Sequence, residues 1–129
     1  MPLQNLEQVR AKHALAYSKA DLNTGGQNGG KVMKKIPAAI MNNGLLAAAA
    51  FALDPKHREK GWGTAFDHIT LHLASSEIGL LDKNDATLED LLMRLTESDS
   101  HTLKLATQEA LAWLAYARRF VTGGGEDDE

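Results

Sequence analysis

Nine consecutive residues, Leu45 to Leu53, carry no polar or charged side chain, and an Asn42-Asn43-Gly44 hinge stands directly before them. Alanine and leucine are strong helix formers, and small side chains let neighbouring helices approach closely, so the run predicts the buried centre of a helical bundle. Gly44 tolerates the left-handed backbone that β-branched residues resist; it can end the preceding segment and leave Asn43 to cap the next. Upstream, Lys31 to Asn42 reads as a helix with Met33, Ile36, Ile40 and Met41 on or near its inner face. Pro37 lacks an amide hydrogen, so that helix either starts or bends there. Asp54-Pro55 stops the uncharged run. Two apolar helices meeting at a fixed corner are expected.

The remaining patterns are helical too. Asn5 and Gln8 form a capping-box start, and Leu6, Val9, His13, Ala16 and Ala20 follow at helical spacing, with Lys12 and Lys19 sharing the solvent face. A helix from Thr64, capped by Thr64 or Gly63, carries Phe66, Ile69, Leu71 and Leu73 as its apolar residues. Thr87 to Asp90 caps another, with Leu88, Leu91, Leu92 and Leu95 inward and an end near Glu97. Ser98-Asp99-Ser100 opens the longest, reaching Phe120 or Val121. Its Leu103, Ala106, Ala110, Trp113 or Leu114, Ala117 and Phe120 repeat at three-four spacing, so it should wall the core. With 129 residues and 43% hydrophobic content, the chain fits one all-α, compact single-domain bundle of five or six helices with a long C-terminal helix. The domain is expected over residues 1–122, followed by a disordered acidic tail at 123–129.

Several chemistries are tested and set aside. There is no cysteine, which removes disulfides and thiolate metal sites and permits a reducing compartment. No signal peptide or membrane-length apolar run is present, so the cytoplasm is expected. Gly25 to Lys31 approaches the phosphate-cradling loop, but Val32 stands where that loop needs Ser or Thr, and a helix precedes the glycines in place of a strand. His68 and His72 are one helical turn apart, a chelating spacing that lacks a third ligand; two partly buried histidines are the reading kept. Asp82 to Ala86 resembles a calcium loop superficially, yet the sixth and twelfth positions are Thr87 and Met93, so it reads as a turn. No catalytic residue, metal set or cofactor is expected.

The net charge of −3 conceals an asymmetry: residues 1–60 hold nine Lys or Arg against four Asp or Glu, residues 61–125 hold five against nine, and Glu126 to Glu129 adds four more acids. One half of the chain can face phosphate, or its cations can simply be solvated. Lys56-His57-Arg58-Glu59-Lys60 is a basic loop open to both readings. Arg118 and Arg119 either complement the dipole at a helix C-terminus or reach RNA.

Three stretches carry a family resemblance. Lys34-Lys35-Ile36-Pro37-Ala38-Ala39-Ile40 through Asn43-Gly44-Leu45 to Ala50-Phe51 is the first; Arg10-Ala11-Lys12-His13-Ala14 in the opening helix is the second; Ala106-Thr107-Gln108-Glu109-Ala110-Leu111 to Arg118-Arg119-Phe120 is the third. Together, and in this order, they resemble the small subunit of the Cmr-type (type III-B) CRISPR RNA-guided complex. Departures are Leu103-Lys104 where Tyr-Arg is common, Leu46-Ala47-Ala48-Ala49 where the family is more polar, and Tyr116 in place of Trp. His13 falls where the family places an aromatic, which favours a packed imidazole.

The resemblance implies a non-catalytic subunit in antiviral defence, present in several copies that stack end to end along guide and target RNA beside other Cmr subunits. Backbone recognition needs only cations on helix ends and loops. The cations expected to make that contact are Arg10, Lys12, Lys19, Lys31, Lys34, Lys35, Lys56, Arg58 and Lys60, with Lys104, Arg118 and Arg119 behind them. The rival is a helical protein-interaction domain with no nucleic-acid role.

Overall fold

The computed structural model describes residues 5–20, 30–57 and 61–123, and every regular element among them is a helix. In chain order these are α1 (Leu6–Ala20), α2 (Gly30–Asn43), α3 (Leu45–Leu53), the single turn α4 (Pro55–His57), α5 (Gly63–Ala74), α6 (Leu88–Glu97) and α7 (Ser100–Gly123). The all-α bundle and its long closing helix match the expectation. No helix among the described residues is long and apolar enough to cross a membrane.

The organising wall is α7. Both α1 and α2 lie along it, α5 packs on it and on α6, and α3 joins α2 to α6. Asp99 caps its start, its Oδ1 accepting the Thr102 N–H at 2.8 Å. Ala106, Ala110, Trp113, Leu114 and Ala117 are all fully buried. The alanines let neighbouring helices approach while Trp113 fills the space between them. The helix continues past Val121 to Gly123; the acidic tail beyond lies outside the described residues.

In α1 the capping box is present, with the Asn5 N–H donating to Gln8 Oε1 and the Gln8 N–H to Asn5 Oδ1, both at 2.9 Å. The buried stripe is Val9, Ala14 and Tyr17, whereas Leu6 is 48% exposed and Ala16 faces water. The difference has a physical cause. Arg10 and His13 both reach polar partners on neighbouring helices, so α1 is rotated to bring 9, 10, 13, 14 and 17 inward.

α2 passes through Pro37 without starting there, and buries Val32, Met33, Ile36 and Ile40. Met41, expected near the inner face, is 72% exposed, because it lies about 100° around the helix from Ile40. Gly44 ends α2 with φ at 96°, its N–H donating to the Ile40 carbonyl at 2.8 Å. Its own carbonyl accepts the Ala48 N–H, so Gly44 rather than Asn43 is the first cap of α3. Asn43 is still inside the last turn of α2 and has no freedom to cap.

α3 buries Leu45, Ala48, Ala49 and Ala52, but Ala47, Ala50, Phe51 and Leu53 are exposed. It is a flank of the bundle and α7 is its centre, a correction to the sequence reading: an unbroken apolar run has no polar face to report which side is covered. Leu71 of α5 is likewise exposed, while Phe66, Ile69 and Leu73 are buried. Neither Thr64 nor Gly63 caps α5, which follows directly from Trp62.

The segment between α5 and α6 is the expected turn. Asp82 accepts backbone N–H groups from Asn84 and Asp85, and Asp85 receives the Asp82 N–H and the Arg94 guanidinium. Thr87 and Asp90 form the capping box of α6, which buries Leu88, Leu91 and Leu95. The Leu88 N–H donates to Asp67 Oδ1 at 2.7 Å and ties α6 to α5.

Candidate functional site

The exposed cations fall mainly on the helices that share α7. Lys12 projects from α1, 3.8 Å from Glu77. Lys34 and Lys35 are both exposed on α2, on the side away from Met33 and Ile36, and Lys104, Arg118 and Arg119 are exposed on α7. Lys56 stands apart on α4. Lys34, Lys35, Lys56 and Lys104 make no ion pair among the described residues. The side chains of Lys19 and Lys31, the residues Arg58 and Lys60, and the glycine run before α2 lie outside the described residues. The acids are densest over the stretch 77–99, with seven Asp or Glu against two Lys or Arg, spanning α6 and the turns around it.

Arg10 is different. Its Nε donates to Glu109 Oε2 at 2.7 Å and its Nη2 to Glu109 Oε1 at 2.8 Å, a bidentate fork between α1 and α7. This hydrogen bonding raises the Arg10 pKa above its ordinary value. Glu109 Oε2 also lies 2.9 Å from His72 Nε2, and His72 Nδ1 lies 2.7 Å from His13 Nδ1. Burial pushes the Glu109 carboxyl upward, but the bonds from Arg10 and His72 outweigh it and hold it below the usual glutamate value. Burial lowers both histidines, for His72 by more than the Glu109 hydrogen bond raises it. The Arg10 guanidinium is thus engaged inside the bundle, with 24% of its side chain exposed.

Sequence reasoning missed Glu109 and the partners of His72. The signal was present: Glu109 stands between Ala106 and Ala110 on the inward stripe of α7, where a charge persists only if another group neutralises it. His68 and His72 do not act together, since His68 packs edge-on against Tyr17 at 4.8 Å while His72 meets Glu109 and His13. Among the described residues no group of three or more His, Asp or Glu could hold a metal ion.

A small aromatic cluster marks the open end of α3. The His57 ring stacks on Phe51 with centroids 3.6 Å apart, His57 Nδ1 lies 3.0 Å from the Phe51 carbonyl oxygen, and Trp62 meets Phe51 edge-on. A shallow groove of about 220 Å³ runs between α1, α7 and the segment after α5, lined by Leu6, Ile78, Leu80 and Leu105 with Arg10 and Glu109 among its polar lining.

No curated protein and no solved structure matches the chain. A family model described as CRISPR-associated protein (Cas_Cmr5) matches residues 6–124, from the first residue of α1 to just past the end of α7. The match takes in α1, the α2–α3 corner and α7, the three places whose residues carry the resemblance. The chain therefore belongs to the Cas_Cmr5 family, the small-subunit family of the type III-B CRISPR complex.

Proposed function

We propose that this chain is a non-catalytic structural subunit that stacks in several copies within a type III-B complex and touches the backbone of guide and target RNA. Family membership supports a place beside other Cmr subunits. The observation that carries RNA contact is the pair Lys34 and Lys35: exposed, without carboxylate partners among the described residues, and on a helix that shares α7 with Lys12, Lys104, Arg118 and Arg119. The acids are densest over 77–99, and of these Glu77 lies 3.8 Å from Lys12. Such a distribution attracts phosphate without reading bases, and makes binding sensitive to salt. Lys19, Lys31, Lys56, Arg58 and Lys60 remain part of the proposed contact set. Arg10 enters it as the residue that fixes α1 on α7 and so positions Lys12. A net charge of −3 leaves one copy with weak affinity, which assembly raises through effective concentration. The uncharged outer face of α3 supports contact with protein neighbours in the same assembly. A cytoplasmic complex fits the cysteine-free composition.

The test is Lys34→Gln/Lys35→Gln in the reconstituted complex, with RNA affinity measured across a salt series. Loss of two single-strand phosphate contacts lowers the slope of log K against log salt by about 1.4. Helical circular dichroism stays unchanged. Equal affinity and equal slope would remove these lysines from the contact set.

A further inference from the structure

The junction of α1, α5 and α7 is a chain of hydrogen bonds whose proton count follows from its geometry. Glu109 Oε2 accepts Arg10 Nε at 2.7 Å and faces His72 Nε2 at 2.9 Å, and Oε1 accepts Arg10 Nη2 at 2.8 Å. An ionised carboxylate only accepts, so His72 Nε2 carries a hydrogen. Neutral His72 then offers a bare Nδ1, and His13 Nδ1, 2.7 Å away, must be the donor. One added proton leaves this arrangement standing. Whichever ring takes it, a single N–H still lies between the two Nδ1 atoms. A second added proton sets N–H against N–H across that 2.7 Å and places two imidazolium rings with centroids 5.0 Å apart.

The surrounding charges do not relieve this. On α1, Arg10 and Lys12 add positive charge; after α5, Glu77 faces His13 but also lies near Lys12; on α7, Glu109 is already held by Arg10. From α5 itself His72 is the group concerned, and the Trp113 ring lies over it at 6.0 Å.

We propose that the His13–His72 pair is a proton-counting latch, which keeps α1 docked on α5 and α7 while it is neutral or singly protonated and releases it on taking a second proton. Desolvation acts in the same direction, since both histidines are lowered by burial. A group lowered on folding contributes its full stability above its unfolded pKa, about 6.5, and loses it as the pH falls below that value. This inference does not depend on the RNA-contact reading.

His13→Gln tests it. A glutamine amide can donate to neutral His72 or accept from the protonated ring, so the mutual exclusion disappears while the bond survives. Between pH 7 and pH 5 the unfolding equilibrium of the unaltered chain should rise by up to about 25-fold more than that of the variant. Amide exchange on α1, corrected for its intrinsic pH dependence, should accelerate at pH 5 in the unaltered chain and not in the variant. Nitrogen-15 spectra of the unaltered chain provide a second reading that needs no substitution. They should show Nε2–H on His72 and Nδ1–H on His13 at neutral pH, and α1 protection lost with the second proton. Parallel pH curves for the two proteins, the opposite tautomers, or α1 amides still protected when both rings are charged would each overturn the latch.

Discussion

Replacing Glu109 with alanine removes the group on which three helices converge. Two hydrogen bonds from Arg10 and one from His72 disappear together, and the guanidinium is left without its counter-ion. Breaking one side of a buried ion pair costs about 3–5 kcal/mol. Arg10 retains 24% side-chain exposure, so water partly replaces the lost carboxylate and the expected loss is about 2–4 kcal/mol. For 129 residues the unfolding entropy near the midpoint is about 0.27 kcal/mol per kelvin, so a loss of about 3 kcal/mol lowers Tm by about 11 °C. The assay is thermal and urea unfolding of four proteins: the unaltered chain, Glu109→Ala, Arg10→Ala and the double variant. The two sites act through one bidentate contact, so a coupling energy of at least about 1.5 kcal/mol is expected in the cycle. Replacing both residues by apolar ones, Arg10→Met with Glu109→Leu, should recover most of the stability, because no charge is then left buried. A Glu109→Ala loss below about 0.5 kcal/mol, or additive single effects, would refute the reasoning that this contact fixes α1 on α7.

Two other outcomes follow from local geometry. Gly44→Ala forces a Cβ onto a backbone with φ at 96° and ψ at 158°, a region open essentially to glycine alone; nothing lies within 4 Å of that Cβ, so the loss of about 1–3 kcal/mol is conformational, and Gly44→Asn should lose as much in the same melt. Glu109 titrates below the usual glutamate value in the folded chain, so its contribution is present above the unfolded value and lost as pH falls through the folded one; with α1 kept docked by His13→Gln, stability measured downward from about pH 4.5 should drop more steeply in that variant than in His13→Gln/Glu109→Ala.

The helices were legible because their signals are local. Asn5 with Gln8, Thr87 with Asp90 and Gly44 each announce a boundary through a hydrogen bond or a backbone angle confined to a few residues. Which face each helix buries was less legible where polar groups sit inside. The rotation of α1 follows from partners on α5 and α7, far off in sequence, and a periodicity count on α1 alone favours Leu6 over Arg10. The outward turns of Met41, Phe51 and Leu71 were hidden for the opposite reason, since apolar residues on both sides of a helix leave no contrast to read. The exposed cations on α2 were visible as a lysine pair. That Arg10 is engaged with a carboxylate ninety-nine positions away is a tertiary fact with no mark in the flanking residues.

Because half the circumference of α3 is bare hydrocarbon and none of its nine residues bears a charge, the helix has no gatekeeper against sticking to whatever it meets. Left uncovered, such a flank makes the solubility of the chain depend on its concentration, and a charge placed at exposed Ala47 or Ala50 should raise it.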